Sequence, residues 1–236
     1  MTDPLIGAEA RPLVERDLAS LTPDESARAL FERSSALRVL AKEGDSFVRL
    51  GAGVAAWTAG VVAGAGLATA LWTDAPAWLR VLAPVVGLVL GVVAVRLGIA
   101  AWKAGRRVVD AYCDWTLLPE RLPDGGAGVD DWRASPVLDA VEARLFLLQG
   151  WRPVRLVVAV VSILSPLAFI VLALEGGPRY QPTWQDGQGP AVTVFVVCLA
   201  VAGVTAGAIV FWGLFRTNRA HAERDPVQRR LLGRDR

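Results

Sequence analysis

Several residue types on which protein chemistry often depends are scarce in this sequence. Its 236 residues include one histidine and two cysteines. A single histidine, His221, cannot form a cluster for metal or haem, and we expect it to be a solvated residue near the C-terminus. Two cysteines, Cys113 and Cys198, are too few for a disulfide framework, so we expect both to be packing residues.

Catalytic signatures are also missing. The sequence has no phosphate-cradling glycine loop, no zinc-ligand spacing and no nucleophile motif. The best pair of acids, Asp110 and Asp114, is interpreted as the solvated side of a helix. We therefore predict no catalytic residues, no metal site and no cofactor, and we expect that the protein is not an enzyme.

Long apolar runs dominate what is present. Hydrophobic residues make up 53% of the chain and charged residues 20%, which is too apolar for an ordinary soluble domain. The runs cover residues 51–72, 81–102, 154–174 and 191–212. A helix of such length is roughly 33 Å long and crosses a bilayer core of roughly 30 Å. The sequence predicts an all-α polytopic membrane protein with four transmembrane helices in two hairpins.

Five regions follow from this arrangement. They are a cytoplasmic N-terminal helical segment (1–50), a first hairpin (51–102), a cytoplasmic helical loop (103–153), a second hairpin (154–212) and a basic cytoplasmic tail (213–236).

Amphipathic helices are predicted on the cytoplasmic side. Thr22, Pro23 and Glu25 form a capping-box pattern that starts a helix over 23–43. Its apolar face is predicted to hold Ala27, Leu30, Leu37 and Ala41, and its charged face to include Arg33.

Two further helices are predicted in the central loop. The second span continues into water until Pro119 ends it. Ser135 and Pro136 then start a helix over 136–149 whose apolar stripe needs a partner.

The basic residues predict the orientation. Residues 1–50 contain seven Arg or Lys, 103–155 contain eight and 216–236 contain seven, whereas the two short links contain only Arg80 and Arg179. Positive charge stays on the cytoplasmic side, so both termini are expected there. Arginine outnumbers lysine 23 to 2, which is typical of a GC-rich bacterial genome. We expect the plasma (inner) membrane of a bacterium.

Glycine pairs spaced by four residues are candidates for close helix packing, because such a pair lies on one helix face and lets two backbones approach. They either pack helices within one chain or join it to a second copy or a partner subunit. The pairs are Gly60 with Gly64, Gly87 with Gly91, and Gly203 with Gly207.

Two other positions stand out within the spans. Arg96 lies six residues before Trp102, roughly 9 Å from the inner boundary. It either snorkels to the headgroups or makes a structural contact with a carbonyl, or it binds an anionic lipid, or it lines an anion path. Pro166 removes a backbone donor in the third span and predicts a kink, with Ser162 and Ser165 able to bond nearby backbone groups.

The basic tail predicts contact with the membrane surface. Its arginines outnumber its acids, and each basic residue near an anionic leaflet contributes about 1 kcal/mol of attraction. No recognisable fold for nucleic-acid binding accompanies the charge, so we expect none. The residues assigned to lipid headgroups are Arg216, Arg219, Arg229 and Arg230.

Two functions remain open. The first is a non-catalytic membrane subunit or scaffold whose helices at 23–43 and 136–149 bind each other or a partner protein. The second is an oligomeric pore with Arg96 near its cytoplasmic mouth. The order of elements over residues 22–118 resembles in architecture the two-span effector modules called SLATT domains, and that resemblance implies the pore.

Overall fold

The computed structural model describes residues 4–121, 152–175 and 189–224. Every regular element in these ranges is an α-helix, as predicted. In chain order the helices are α1 (Arg11–Glu15), α2 (Pro23–Gly44), α3 (Phe47–Thr69), α4 (Ala77–Arg121), α5 (Arg152–Glu175) and α6 (Gly189–Arg224). The predicted helix at 136–149 lies outside the described residues.

Three described stretches are long and apolar enough to cross a membrane, namely Asp24–Thr69, Ala77–Glu120 and Gly189–Glu223. A shorter apolar helix covers Pro153–Ala168. Large aliphatic side chains point outward from the apolar stretches, with Val81 70% and Leu88 64% exposed. Outward-facing aliphatic residues are what lipid requires, so the structure supports a multi-pass membrane protein.

The chain divides into two compact units. We call the first the polar unit; it comprises Met1–Phe47, Lys103–Pro153 and Trp212–Arg236. The second, the apolar unit, comprises Val48–Trp102 and Val154–Phe211. Helices α4 and α6 contribute residues to both units.

The start of α2 confirms the predicted capping box. The Glu25 carboxylate accepts hydrogen bonds from the backbone N–H of Thr22 at 2.9 Å and from its hydroxyl at 2.7 Å. These bonds satisfy a backbone donor that the helix itself leaves unpaired, and they lower the pKa of Glu25.

The buried face of α2 differs from the prediction. Ala29 and Leu30 are buried, whereas Ala27 is exposed. Arg33, which the sequence placed on the charged face, is only 3% exposed. The reason is that its guanidinium donates to two backbone carbonyl oxygens near the end of α4, those of Trp115 and Thr116.

The polar unit has a continuous hydrophobic core. Side chains from the segment before α2, from α2 and from the C-terminal part of α4 share it. Trp115 is fully buried at its centre, and its indole N–H donates to the Leu13 carbonyl oxygen at 3.3 Å. The buried members are Ile6, Ala10, Leu18, Ala29, Leu30, Ala36, Leu40, Ala104, Val108, Ala111, Tyr112, Trp115 and Leu118.

Helix α4 does not stop at Pro119. Its last residue is Arg121, three residues beyond the predicted last residue, Leu118. Proline inside a last turn removes one donor, and the helix can continue if the freed carbonyl finds another partner.

Candidate functional site

The glycines predicted to pack helices lie in the apolar unit against other helices of the same chain. A Cβ built on Gly64 would lie 2.6 Å from the Cβ of Cys198 on α6, and one built on Gly60 would lie 3.8 Å from the Cβ of Ala202. From Gly60 to Gly64 the sequence number on α3 increases, whereas that of the contacted residue on α6 decreases from 202 to 198. Helices α3 and α6 therefore run in opposite directions where they touch.

Helices α3 and α4 approach even more closely. A Cβ on Gly87 would lie 2.8 Å from the Ala63 carbonyl oxygen, and one on Gly66 would lie 2.6 Å from the Ala83 carbonyl oxygen. Gly91 also faces this helix, with the Ala63 Cβ 3.7 Å from its built Cβ. Gly66 was not singled out from the sequence, because it has no glycine partner four residues away.

Helices α5 and α6 make the third close approach. A Cβ on Gly203 would collide with the Ser162 carbonyl oxygen, and one on Gly207 would collide with the Ile163 side chain. The Ala159 carbonyl oxygen would also lie 3.4 Å from that second Cβ. These contacts again run in opposite directions along the two helices.

Pro166 is placed inside α5, which continues through it. The carbonyl left without its helical donor is that of Ser162, four residues earlier. The Ser165 hydroxyl donates to that oxygen at 3.0 Å, as the sequence suggested. The predicted kink stays a prediction.

Arg96 lies in the apolar stretch of α4 with its side chain exposed. Its neighbours Val95 and Leu97 are exposed as well, at 61% and 37%. The side chain therefore lies on the outer surface of the described apolar unit.

Two arginines converge on one carboxylate and one indole ring in the polar unit. The Arg216 Nε atom lies 2.8 Å from Asp110 Oδ1, and the Arg106 Nε atom lies 3.5 Å from Asp110 Oδ2. Both guanidinium carbons lie 6.0 Å from the centre of the Trp212 ring. The hydrogen bond to Asp110 raises the pKa of Arg216, which stays charged. We call these four residues the arginine pair site.

The other predicted headgroup residues have different surroundings. Arg219 pairs with Glu223 one turn later on α6, with Nε 3.1 Å from Oε1. Arg229 and Arg230 lie outside the described residues. The region assigned to a tail begins as helix, because α6 continues to Arg224.

His221 is the clearest difference from the sequence analysis. It is 1% exposed rather than solvated, and its Nε2 atom lies 3.2 Å from the Tyr112 hydroxyl. No local signal in the sequence marks this contact, because Tyr112 and His221 lie 109 positions apart. Buried polar rings persist where they find such partners.

Cys113 is buried beside this pair. Its thiol donates to the Arg216 carbonyl oxygen at 3.7 Å, and burial raises the pKa of the thiol to about 12. The thiol is therefore protonated at neutral pH, and the side chain is packed in the interior of the polar unit.

Arg33 binds the end of α4. Its Nε donates to the Trp115 carbonyl oxygen and its Nη2 to the Thr116 carbonyl oxygen, both at 3.0 Å. Trp115 precedes Pro119 by four residues, so its carbonyl cannot receive the usual helical N–H. The guanidinium supplies the missing donor and lets α4 continue past the proline.

A cleft of about 420 Å³ lies in the polar unit, next to this core. Its charged lining combines three arginines with three carboxylates, so it has no strong preference for a ligand of one sign. The charged residues are Arg11, Arg16, Arg107, Glu15, Asp110 and Asp114.

Among the described residues, no group of three or more His, Cys, Asp or Glu side chains is placed to hold a metal ion. Comparison with known proteins finds no matching family model, no similar curated protein and no similar solved structure.

Proposed function

We propose that this protein is a non-catalytic membrane subunit or scaffold with four spans, at 51–72, 81–102, 154–174 and 191–212. Helix α5 supports the third span: its 24 residues would extend roughly 36 Å. The opposed contacts of α5 with α6, and of α3 with both α4 and α6, fit two antiparallel hairpins. Both termini and the central loop then lie in the cytoplasm, where the basic residues concentrate.

One observation carries the proposal: the shared hydrophobic core of the polar unit. Thirteen buried side chains from three separate stretches of sequence join in it. In this unit Trp115 is completely buried, and Arg33 donates hydrogen bonds to two carbonyl oxygens. Segments that served only to connect membrane spans would not need such a core. A folded module outside the spans fits a protein that presents a surface to a partner.

The exposed face of α2 is the docking surface that we favour. Phe31 lies on it and is 71% exposed. Arg28, Glu32 and Arg38 lie around it on the same face. A large aromatic side chain ringed by charges is the usual composition of a protein interface anchor.

The native mass of the tagged protein, extracted gently from its own membrane, tests the proposal. A particle with one copy of this chain and a second polypeptide supports the subunit function. A ring of several copies with no companion contradicts it and favours the pore.

Point variants locate the docking surface. Phe31→Ala should abolish recovery of the companion while membrane insertion and elution volume stay unchanged. Phe215→Ala is the matched control, because Phe215 is 68% exposed on α6. Equal recovery with both variants would place the partner elsewhere.

An oligomeric pore is the alternative, and the exposure of Arg96 favours it. A charge on the outer surface of an apolar stretch costs about 2.5 to 3.5 kcal/mol in lipid, unless a second copy or a headgroup receives it. Conductance of the purified protein in planar bilayers, altered in Arg96→Gln, supports the pore. The glycine pairs offer it less support, since all three contact helices of their own chain.

A further inference from the structure

Among the residues that the structure describes, the arginine pair site contains more cationic groups than carboxylates. Arg106 and Arg216 bring two guanidinium groups to the single carboxylate of Asp110. The side chains of these arginines remain 60% and 50% exposed, whereas that of Asp110 is 33% exposed. Both arginine side chains are therefore accessible from outside, and the two arginines with Asp110 carry a net charge of +1.

The position of the cluster limits what can reach it. Trp212 is the last residue of the fourth predicted span, and Arg106 follows the last residue of the second, Trp102, by four positions. Tryptophan at a span end prefers the headgroup layer. The two arginines contact the Trp212 ring from α4 and from α6 and are thus held at that depth.

From this geometry we infer that the arginine pair site binds the phosphate of an anionic phospholipid headgroup in the cytoplasmic leaflet. Guanidinium forks match phosphate oxygens in two-point hydrogen bonds, and two forks joined by one carboxylate hold a fixed spacing. The indole ring supports the arginines and offers its own surface to the lipid. The site rests on the proposed membrane orientation but not on the proposed partner.

Asp110 has a defined part in this site. It orders the two arginines, and it also competes with the phosphate for their donors. Removing its charge should therefore strengthen anion binding. If the ion pair had only a structural role, the same change would give no gain in lipid affinity. Asp110→Asn therefore distinguishes a structural ion pair from one that competes with the phosphate.

Native mass spectrometry of the full-length protein in detergent gives the test. The protein is titrated with phosphatidylglycerol and, separately, with phosphatidylcholine of the same acyl chains. The double variant Arg106→Gln with Arg216→Gln should lose at least about tenfold in preference for phosphatidylglycerol. Asp110→Asn should raise that preference a few-fold, while Lys103→Gln, an exposed basic residue next to the end of the same predicted span, should keep it.

Several results would overturn the assignment. They are an unchanged preference in the double variant, an equal loss in Lys103→Gln, which would indicate diffuse surface attraction, or a decrease in Asp110→Asn. Displacement of the lipid by millimolar inorganic phosphate would assign the site to a soluble phosphate ligand instead. If the double variant does not fold, as judged by circular dichroism and elution volume, the Asp110→Asn result decides by itself. Loss of the companion polypeptide would concern the proposed function and leave this site untouched.

Discussion

The polar unit and the apolar unit are held together by opposite kinds of contact. In the polar unit, large side chains such as Trp115 and Leu118 are buried, and Arg33 binds backbone carbonyls in the interior. In the apolar unit, the closest contacts are at glycines, where one backbone touches another, as at Gly87. Large aliphatic side chains there lie mostly on the outside.

The surrounding solvent explains this difference. Water drives large apolar side chains inward, so a unit in water gains stability by burying them. Lipid is as apolar as leucine and gives no such drive, so helices in it associate through close packing of small residues. The two units should therefore respond differently to the same kind of substitution.

The largest effect should come from Trp115→Ala. It removes the largest fully buried side chain among the described residues and should lower the free energy of unfolding by about 3–5 kcal/mol. Hydrogen exchange should increase in α2 and in residues 103–121, with little change in α3. Trp78→Ala on the same helix is the control, because Trp78 is 66% exposed. Equal exchange in both variants would contradict the assigned core.

Arg33→Met should come next. It removes two charge-assisted hydrogen bonds from buried carbonyls and should cost about 2–3 kcal/mol in a thermal or denaturant titration. The exposed Arg38→Met should stay within about 0.5 kcal/mol of the natural chain. Adding Pro119→Ala restores an N–H for the Trp115 carbonyl and should recover part of the loss. No recovery would show that Arg33 does not substitute for that donor.

Gly87→Ala should affect the apolar unit. The new Cβ would meet the Ala63 carbonyl oxygen at 2.8 Å, and separating the two backbones should cost about 1–3 kcal/mol of unfolding free energy in detergent. Gly98→Ala on the same helix meets no atom within 4 Å and should be neutral or stabilising by up to about 1 kcal/mol. A similar loss of unfolding free energy in both variants would contradict the close contact at Gly87 as its cause.

The smallest effect concerns Glu25, whose folded-state pKa lies below the usual value of 4.5. Its contribution to stability is present above that value and is lost as the pH falls through the lower folded pKa. Amide exchange at the start of α2 should therefore be slower in the natural chain than in Glu25→Gln at neutral pH. The difference should disappear in acid, and a difference that persisted below the folded pKa would rule out the carboxylate as its cause.

Local signals in the sequence gave reliable results where they act within a few residues. The Thr22 and Glu25 pattern predicted the start of α2, and the apolar runs predicted helices at the positions where α3 to α6 lie. The hydrogen bond from the Ser165 hydroxyl to the Ser162 carbonyl oxygen could also be predicted from the sequence, because helix geometry alone brings these groups together.

Contacts between residues that are distant in the sequence could not be predicted from the sequence. Arg33 and Trp115 are separated by 82 positions, and Tyr112 and His221 by 109. Nothing near His221 in the sequence distinguishes a buried ring from a solvated one. Gly66 was missed because it has no glycine four residues away in the sequence, although it lies against Gly87 of another helix.

The sequence by itself determined the helical class and the apolar stretches that can cross a membrane, because length and hydrophobicity are properties of single segments. Only the tertiary structure decided which polar groups are buried. Arg33 and His221 are buried, although their side chains are ones that water would accept equally well. Their positions depend on partners from other helices, whose hydrogen bonds and charges offset the loss of hydration.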